Sequence, residues 1–135
     1  MKGNKGFTLL EMLIVIVIVA VLAAIATPSL ISWRANSSLS GDTRTLKADL
    51  ERTRSRAIRD NANATLNFTG SKSYTYPGGG STILSRSLNN TSISGLASVT
   101  FDSRGRATNT GTVTLSNGTK ATQITVNMIG SVRIN

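Results

Sequence analysis

Neither cysteine nor histidine occurs in the 135 residues, and carboxylates number only six: Glu11, Asp42, Asp49, Glu51, Asp60 and Asp102. The missing cysteine excludes disulfide scaffolds, zinc knuckles and thiol nucleophiles. The missing histidine removes the Ser-His-Asp arrangement together with the commonest general base and metal ligand. The six acids are too scattered for a metal cluster or an acid/base pair. Neither catalysis nor a metal or other cofactor is expected. Aromatic residues are scarce at 4%, and proline occurs twice. Positive charge is what the chain has in excess: fifteen Lys and Arg give a net charge of +9.

A 39% hydrophobic content and a mean hydropathy near zero describe an ordinary small soluble domain. That average conceals two unlike parts. Residues 12–26 are 15 apolar side chains in an unbroken run, whereas residues 28–135 hold only 34 apolar residues among 108. Residues 7–26 form a stretch of 20, about 30 Å as a helix at about 1.5 Å per residue, the hydrocarbon thickness of a bilayer. Lys2 and Lys5 precede the stretch and no basic residue follows before Arg34. By the positive-inside tendency the N-terminus stays in the cytoplasm and the remaining chain lies across the membrane. A cleaved secretory signal is the plainer alternative, since residues 20–26 (AVLAAIA) imitate a small-residue cleavage site. Glu11 argues against it, because a carboxylate inside the apolar stretch costs about 2–3 kcal/mol in a bilayer and such a charge usually has a partner.

Gly6-Phe7-Thr8-Leu9-Leu10-Glu11, followed by a long apolar helix and Pro28, resembles the type IV prepilin signature. The resemblance implies cleavage between Gly6 and Phe7 by a prepilin peptidase, N-methylation of the new Phe7 amine, and an assembly role for Glu11. One helical turn separates Glu11 from that amine, so it can answer the positive charge within the chain. In a filament it can instead pair with a neighbour's amine, which satisfies two charges costly in lipid and fixes the axial register. Pro28 lacks an amide hydrogen and disfavours helical geometry at Thr27. It either kinks the helix there or ends the membrane segment.

Beyond Pro28 the helical pattern continues to residue 61. Leu39, Leu46, Leu50 and Ala57 fall within about 40° of one another at about 100° per residue, a narrow stripe to lay on a sheet. Arg52, Arg56 and Arg59 cluster on a different face. Asp42, Asp49 and Asp60 flank the basic surface, with Lys47–Glu51 and Arg56–Asp60 spaced for exposed i,i+4 pairs. Solvation of the helix accounts for such a charge run as readily as a binding role does.

From Ala64 the period becomes two. Leu66/Phe68, Tyr74/Tyr76, Val99/Phe101, Val113/Leu115, Ile124/Val126/Met128 and Val132/Ile134 alternate with polar residues, and glycine or asparagine turns separate the runs. The expected fold is α+β, a long N-terminal helix packed on an antiparallel β-sheet. Residues 71–97, rich in Gly, Ser, Thr and Asn, allow strand, loop or partial disorder.

Two further stretches resemble the GspH/FimT family of minor pseudopilins and minor pilins. One is the helix end from Leu50 to Asn61, with Thr53 and Arg56 where that family carries Ala and an acid. The other runs from Phe101 through the Gly105 turn to Gly130-Ser131-Val132-Arg133. Together the resemblances imply a leader at 1–6, a transmembrane and assembly half-helix at 7–27, a periplasmic amphipathic half at 28–61 and a β-sheet domain at 62–135. They imply a single-pass protein of the bacterial inner membrane that enters a type IV pilus or type II secretion pseudopilus, in filament initiation or at the tip. Its partners would be other pilin or pseudopilin subunits, the prepilin peptidase and the inner-membrane assembly platform. The competing reading is a DNA receptor for uptake. Some FimT-type pilins bind DNA through a Gly-Arg-x-Arg motif, of which this chain keeps one arginine, Arg133. Arg104 and Arg106 could supply the missing charge.

Overall fold

The structure, a computed structural model, describes residues 6–135. Lys2, Lys5 and the rest of the expected leader before Gly6 lie outside the described residues. One helix, α1 (Leu9–Arg59), precedes eight strands: β1 (Ala64–Phe68), β2 (Ser73–Gly79), β3 (Thr82–Ser87), β4 (Ser92–Gly95), β5 (Ser98–Phe101), β6 (Gly111–Ser116), β7 (Ala121–Val126) and β8 (Val132–Ile134). The chain divides into two units, Met1–Arg34 and Ala35–Asn135, and α1 contributes to both.

In the first unit the apolar run is helical throughout and its large side chains are exposed. Among the described residues this is the one helix long and apolar enough to cross a membrane. The helix continues through Pro28, so the proline does not end the helix. The residues around it turn hydroxyls onto the backbone: Thr27 donates to the Ala23 carbonyl and Ser32 to the Pro28 carbonyl, each at 2.7 Å. Trp33, the single tryptophan, is exposed just beyond.

In the second unit the expected stripe faces inward, with Leu39, Leu46, Leu50 and Ala57 each 3% exposed or less. Thr43 and Thr53 share that buried face. Their hydroxyls donate to the carbonyls of Leu39 and Asp49, each at 2.7 Å, so neither buried polar group is left unpaired. The helix ends at Arg59, two residues earlier than its pattern suggests.

The strands form two antiparallel four-stranded sheets rather than one, in the orders β3-β2-β1-β5 and β4-β6-β7-β8. The division falls within residues 92–101. β4 pairs with β6 and β5 with β1, and Gly95, paired with Val113, is the last residue of β4 before the change. Gly95 has a φ of +114°, and a side chain there would strike the Thr112 carbonyl, so only glycine lets the chain change sheets so closely. Leu66, Tyr74, Val99 and Phe101 from the first sheet, and Val113, Leu115, Ile124 and Val126 from the second, complete the core with the helical stripe. Residues 71–97, open from sequence, supply β2, β3 and β4. Met128, expected to alternate inward after Val126, is 71% exposed. Strand β7 ends at Val126, and Met128 belongs to the following turn, closed by Gly130 N–H donating to the Asn127 carbonyl at 2.8 Å.

Candidate functional site

The N-terminal residues singled out by sequence come first along the chain. Gly6, Phe7 and Thr8 precede the helix, and Phe7 is 75% exposed. The Thr8 hydroxyl accepts the backbone N–H of Glu11 at 3.2 Å. This is the N-cap half of a Thr-x-x-Glu capping box, a signal present in the sequence that the prepilin resemblance overshadowed. It puts Glu11 in the first turn of α1, where the helix dipole favours a negative charge. Among the described residues the Glu11 carboxylate has no ion-pair partner. Gly6, Phe7, Glu11 and Pro28 thus lie along one short segment.

A polar centre that sequence reasoning missed sits under the second unit. Asp49, expected as a flanking surface charge, is fully buried. Its Oδ2 accepts the Tyr74 hydroxyl and Arg86 Nε, each at 2.9 Å, and its Oδ1 accepts Arg52 Nη1 at 2.9 Å. Arg86 also donates through Nη2 to the Tyr76 hydroxyl at 3.1 Å. Burial first, then the hydrogen bond to Asp49, push the Tyr74 hydroxyl above its ordinary range. The bond to Tyr76 chiefly raises the Arg86 guanidinium. A carboxylate four residues from Thr53 on a leucine stripe has no local signature of burial. Two of its three partners lie 25 and 37 positions away on β2 and β3.

Arg52, Arg56 and Arg59 do share a face, and with Tyr76, Pro77, Gly78 and Leu84 they line a cleft of about 280 Å³. The pairs expected at i,i+4 both form, Arg56–Asp60 at 2.8 Å and Lys47–Glu51 at 3.7 Å.

Arg104 and Arg106 occupy one turn, whose centre is Asp102. Its Oδ1 accepts the backbone N–H groups of Arg104 and Arg106 at 2.9 and 2.8 Å, and its Oδ2 accepts Arg106 Nε at 3.1 Å. These bonds, the Arg106 N–H foremost, hold the Asp102 carboxyl below the usual carboxylate range. The charge of Arg106 is therefore already answered. Arg54 Nε donates to the Gly105 carbonyl at 2.8 Å and Ala107 N–H to the Met128 carbonyl at 3.1 Å, which fixes this turn against the β7–β8 turn. Arg133 is on β8 opposite Thr125 and is not part of that turn. No three His, Cys, Asp or Glu side chains gather as a metal ion would need, among the described residues.

Comparison with known proteins follows the same division. Residues 1–27 match the prokaryotic N-terminal methylation motif. Over 45 residues the chain is 49% identical to the type IV major pilin protein PilA of Myxococcus xanthus strain DK1622, a match spanning 33% of this chain and 20% of that protein. In fold it resembles the type IV minor pilin FimU of Pseudomonas aeruginosa PAO1, with a TM-score of 0.60 at 13% identity over 71% of this chain and 91% of FimU. A second crystal form of FimU gives a TM-score of 0.59 at 14% identity, over 74% and 90% of the two chains. At such identities the likeness is one of fold. Residues 42–130, well over half of the chain, match the family of the type II transport protein GspH, and the chain belongs to that family.

Proposed function

We propose that this protein is a structural subunit of a type IV pilus or type II secretion pseudopilus. A prepilin peptidase cuts it between Gly6 and Phe7, and the Phe7 amine is methylated. Residues 7–27 anchor it in the bacterial inner membrane with the sheet domain in the periplasm, and the assembly platform then passes it into the filament. Its place is that of a minor subunit, at initiation or at the tip. The observation that carries this reading is Glu11: a lone carboxylate in a helix of membrane-spanning length, without an ion-pair partner among the described residues. A charge kept at such cost is expected to find its partner through assembly, and a neighbour's N-terminal amine is the complementary group.

The DNA-uptake alternative has less behind it. The Arg106 charge is taken by Asp102, and Arg133 lies outside the turn that holds Arg104 and Arg106. Tyr74 and Tyr76 are buried, so neither offers an open face on which a base would stack.

Mass spectrometry of the chain purified from its native membrane tests the structural reading. The expected product begins at Phe7 and carries one added methyl group on its amine. A chain that retains Met1, or one that begins after Ala26, overturns it.

A further inference from the structure

We propose that the cleft between the end of α1 and the β2–β3 hairpin binds an acidic segment of a non-identical protein. Under the filament reading, on which this proposal rests, that protein is a neighbouring subunit of different sequence. Arg52, Arg56 and Arg59 form one wall, and Tyr76, Pro77 and Leu84 line the remainder. No carboxylate lines the cleft.

The arginines are not equivalent. Arg56 is fixed, donating to Asp60 at 2.8 Å and to the Gly78 carbonyl at 3.2 Å, with only 17% of its side chain exposed. Arg52 spends one nitrogen on Asp49 and leaves the rest in solvent. Arg59 makes no ion pair among the described residues. Tyr76 adds a hydroxyl that accepts from Arg86, and its own proton has no acceptor among the described residues. The cleft therefore offers the whole guanidinium fork of Arg59, the remaining donors of Arg52 and one O–H to an oxyanion.

The other lining selects the kind of anion. Gly78 leaves the space that Leu84 fills, since a Cβ there would lie 2.6 Å from Leu84 Cγ. Leu84 is 42% exposed beside Pro77. An apolar surface next to arginine forks suits a carboxylate side chain with an apolar neighbour on a polypeptide. A nucleic-acid strand would instead look for an open aromatic face to stack its bases on, and Tyr76 is buried.

A second copy of this chain is a poor occupant. Residues 28–135 carry thirteen basic residues against five acids. Each of those acids is already engaged: Asp42 with Thr91, Asp49 with three donors, Glu51 with Lys47, Asp60 with Arg56 and Asp102 with Arg106. Like surfaces of this sign repel, so the acid must come from another protein.

The test uses the full chain in detergent micelles and a fluorescent peptide of alternating glutamate and leucine, read by anisotropy. Controls are the same peptide with glutamine for glutamate and a short single-stranded oligonucleotide. The glutamate peptide is expected to bind, to weaken about tenfold for Arg59→Glu, and to change less than about twofold for Arg133→Glu. Leu84→Ser is expected to weaken it several-fold. Arg59 is exposed and makes no ion pair among the described residues, so Arg59→Glu should keep a cooperative thermal transition, lowered by no more than a few degrees through loss of a cation in the last helical turn. Absent binding, equal binding of the glutamine peptide, or indifference to Arg59→Glu overturns the proposal. So does tighter binding of the oligonucleotide that Arg59→Glu abolishes, which would give the cleft to phosphates. Binding is measured without filament assembly, so its failure leaves the filament reading standing.

Discussion

Asp49 occupies the inward face of α1, where a carboxylate is tolerable because three donors surround it and each comes from a different side chain. Removing it strands the Tyr74 hydroxyl in the core and leaves Arg86 without its closest counter-charge. Asp49→Ala should therefore cost about 3 kcal/mol in chemical denaturation. Tyr74 predicts a pH dependence. Its folded-state ionisation is pushed above the ordinary tyrosine value of 10.0, so the unfolded chain loses this proton first. The corresponding stability is present below about pH 10 and falls as pH rises beyond it. Tyr74→Phe should flatten that alkaline limb in unfolding measured across pH. The leucines beside Asp49 were legible because their spacing alone states which face is buried. Asp49 was not, because its identity argues for solvent, its neighbour Arg52 reads as an ordinary surface pair, and the donors that bury it, Tyr74 and Arg86, are distant in sequence.

Turns show the same boundary between local and distant causes. Gly130 closes the β7–β8 turn with a φ of +78°, a conformation its type allows. Its tightness comes from elsewhere: a side chain there would collide with the Gly105 carbonyl and approach Arg54 Nε to 2.8 Å. Gly130→Ala should cost about 2–4 kcal/mol, through backbone strain and the loss of this close approach. Gly41 is the opposite case, a helical glycine with open space around its missing Cβ. Gly41→Ala should stabilise by about 0.5–1 kcal/mol. Midpoints of urea unfolding for the two variants check both signs. The strands themselves were legible wherever alternation was clear, as at Val113/Leu115 and Ile124/Val126. Their assignment to two sheets was not, because it depends on which partner each half of residues 92–101 finds. Met128 was misplaced by extending an alternation past the strand that produced it.

Membrane anchoring and filament entry belong to the chain as a unit, and most of their evidence lies in contiguous sequence. The proposed cleavage pair, the acid at residue 11 and the apolar run are all local, so the proposal for the N-terminus can be framed from sequence alone; the arginine cleft, assembled across α1 and β2–β3, was only half legible. Glu11→Gln should leave the protein inserted and cut, because neither step needs the charge, while its share of sheared filaments falls several-fold on immunoblots. The single tryptophan and the two tyrosines are also divided between the units: Trp33 is exposed in the first, and Tyr74 and Tyr76 are buried in the second. The chain thus carries two native optical labels with separate fields of view. Red-edge fluorescence follows the surroundings of Trp33, detergent or lipid. Tyrosine difference absorbance, read where the indole contributes little, follows the sheets.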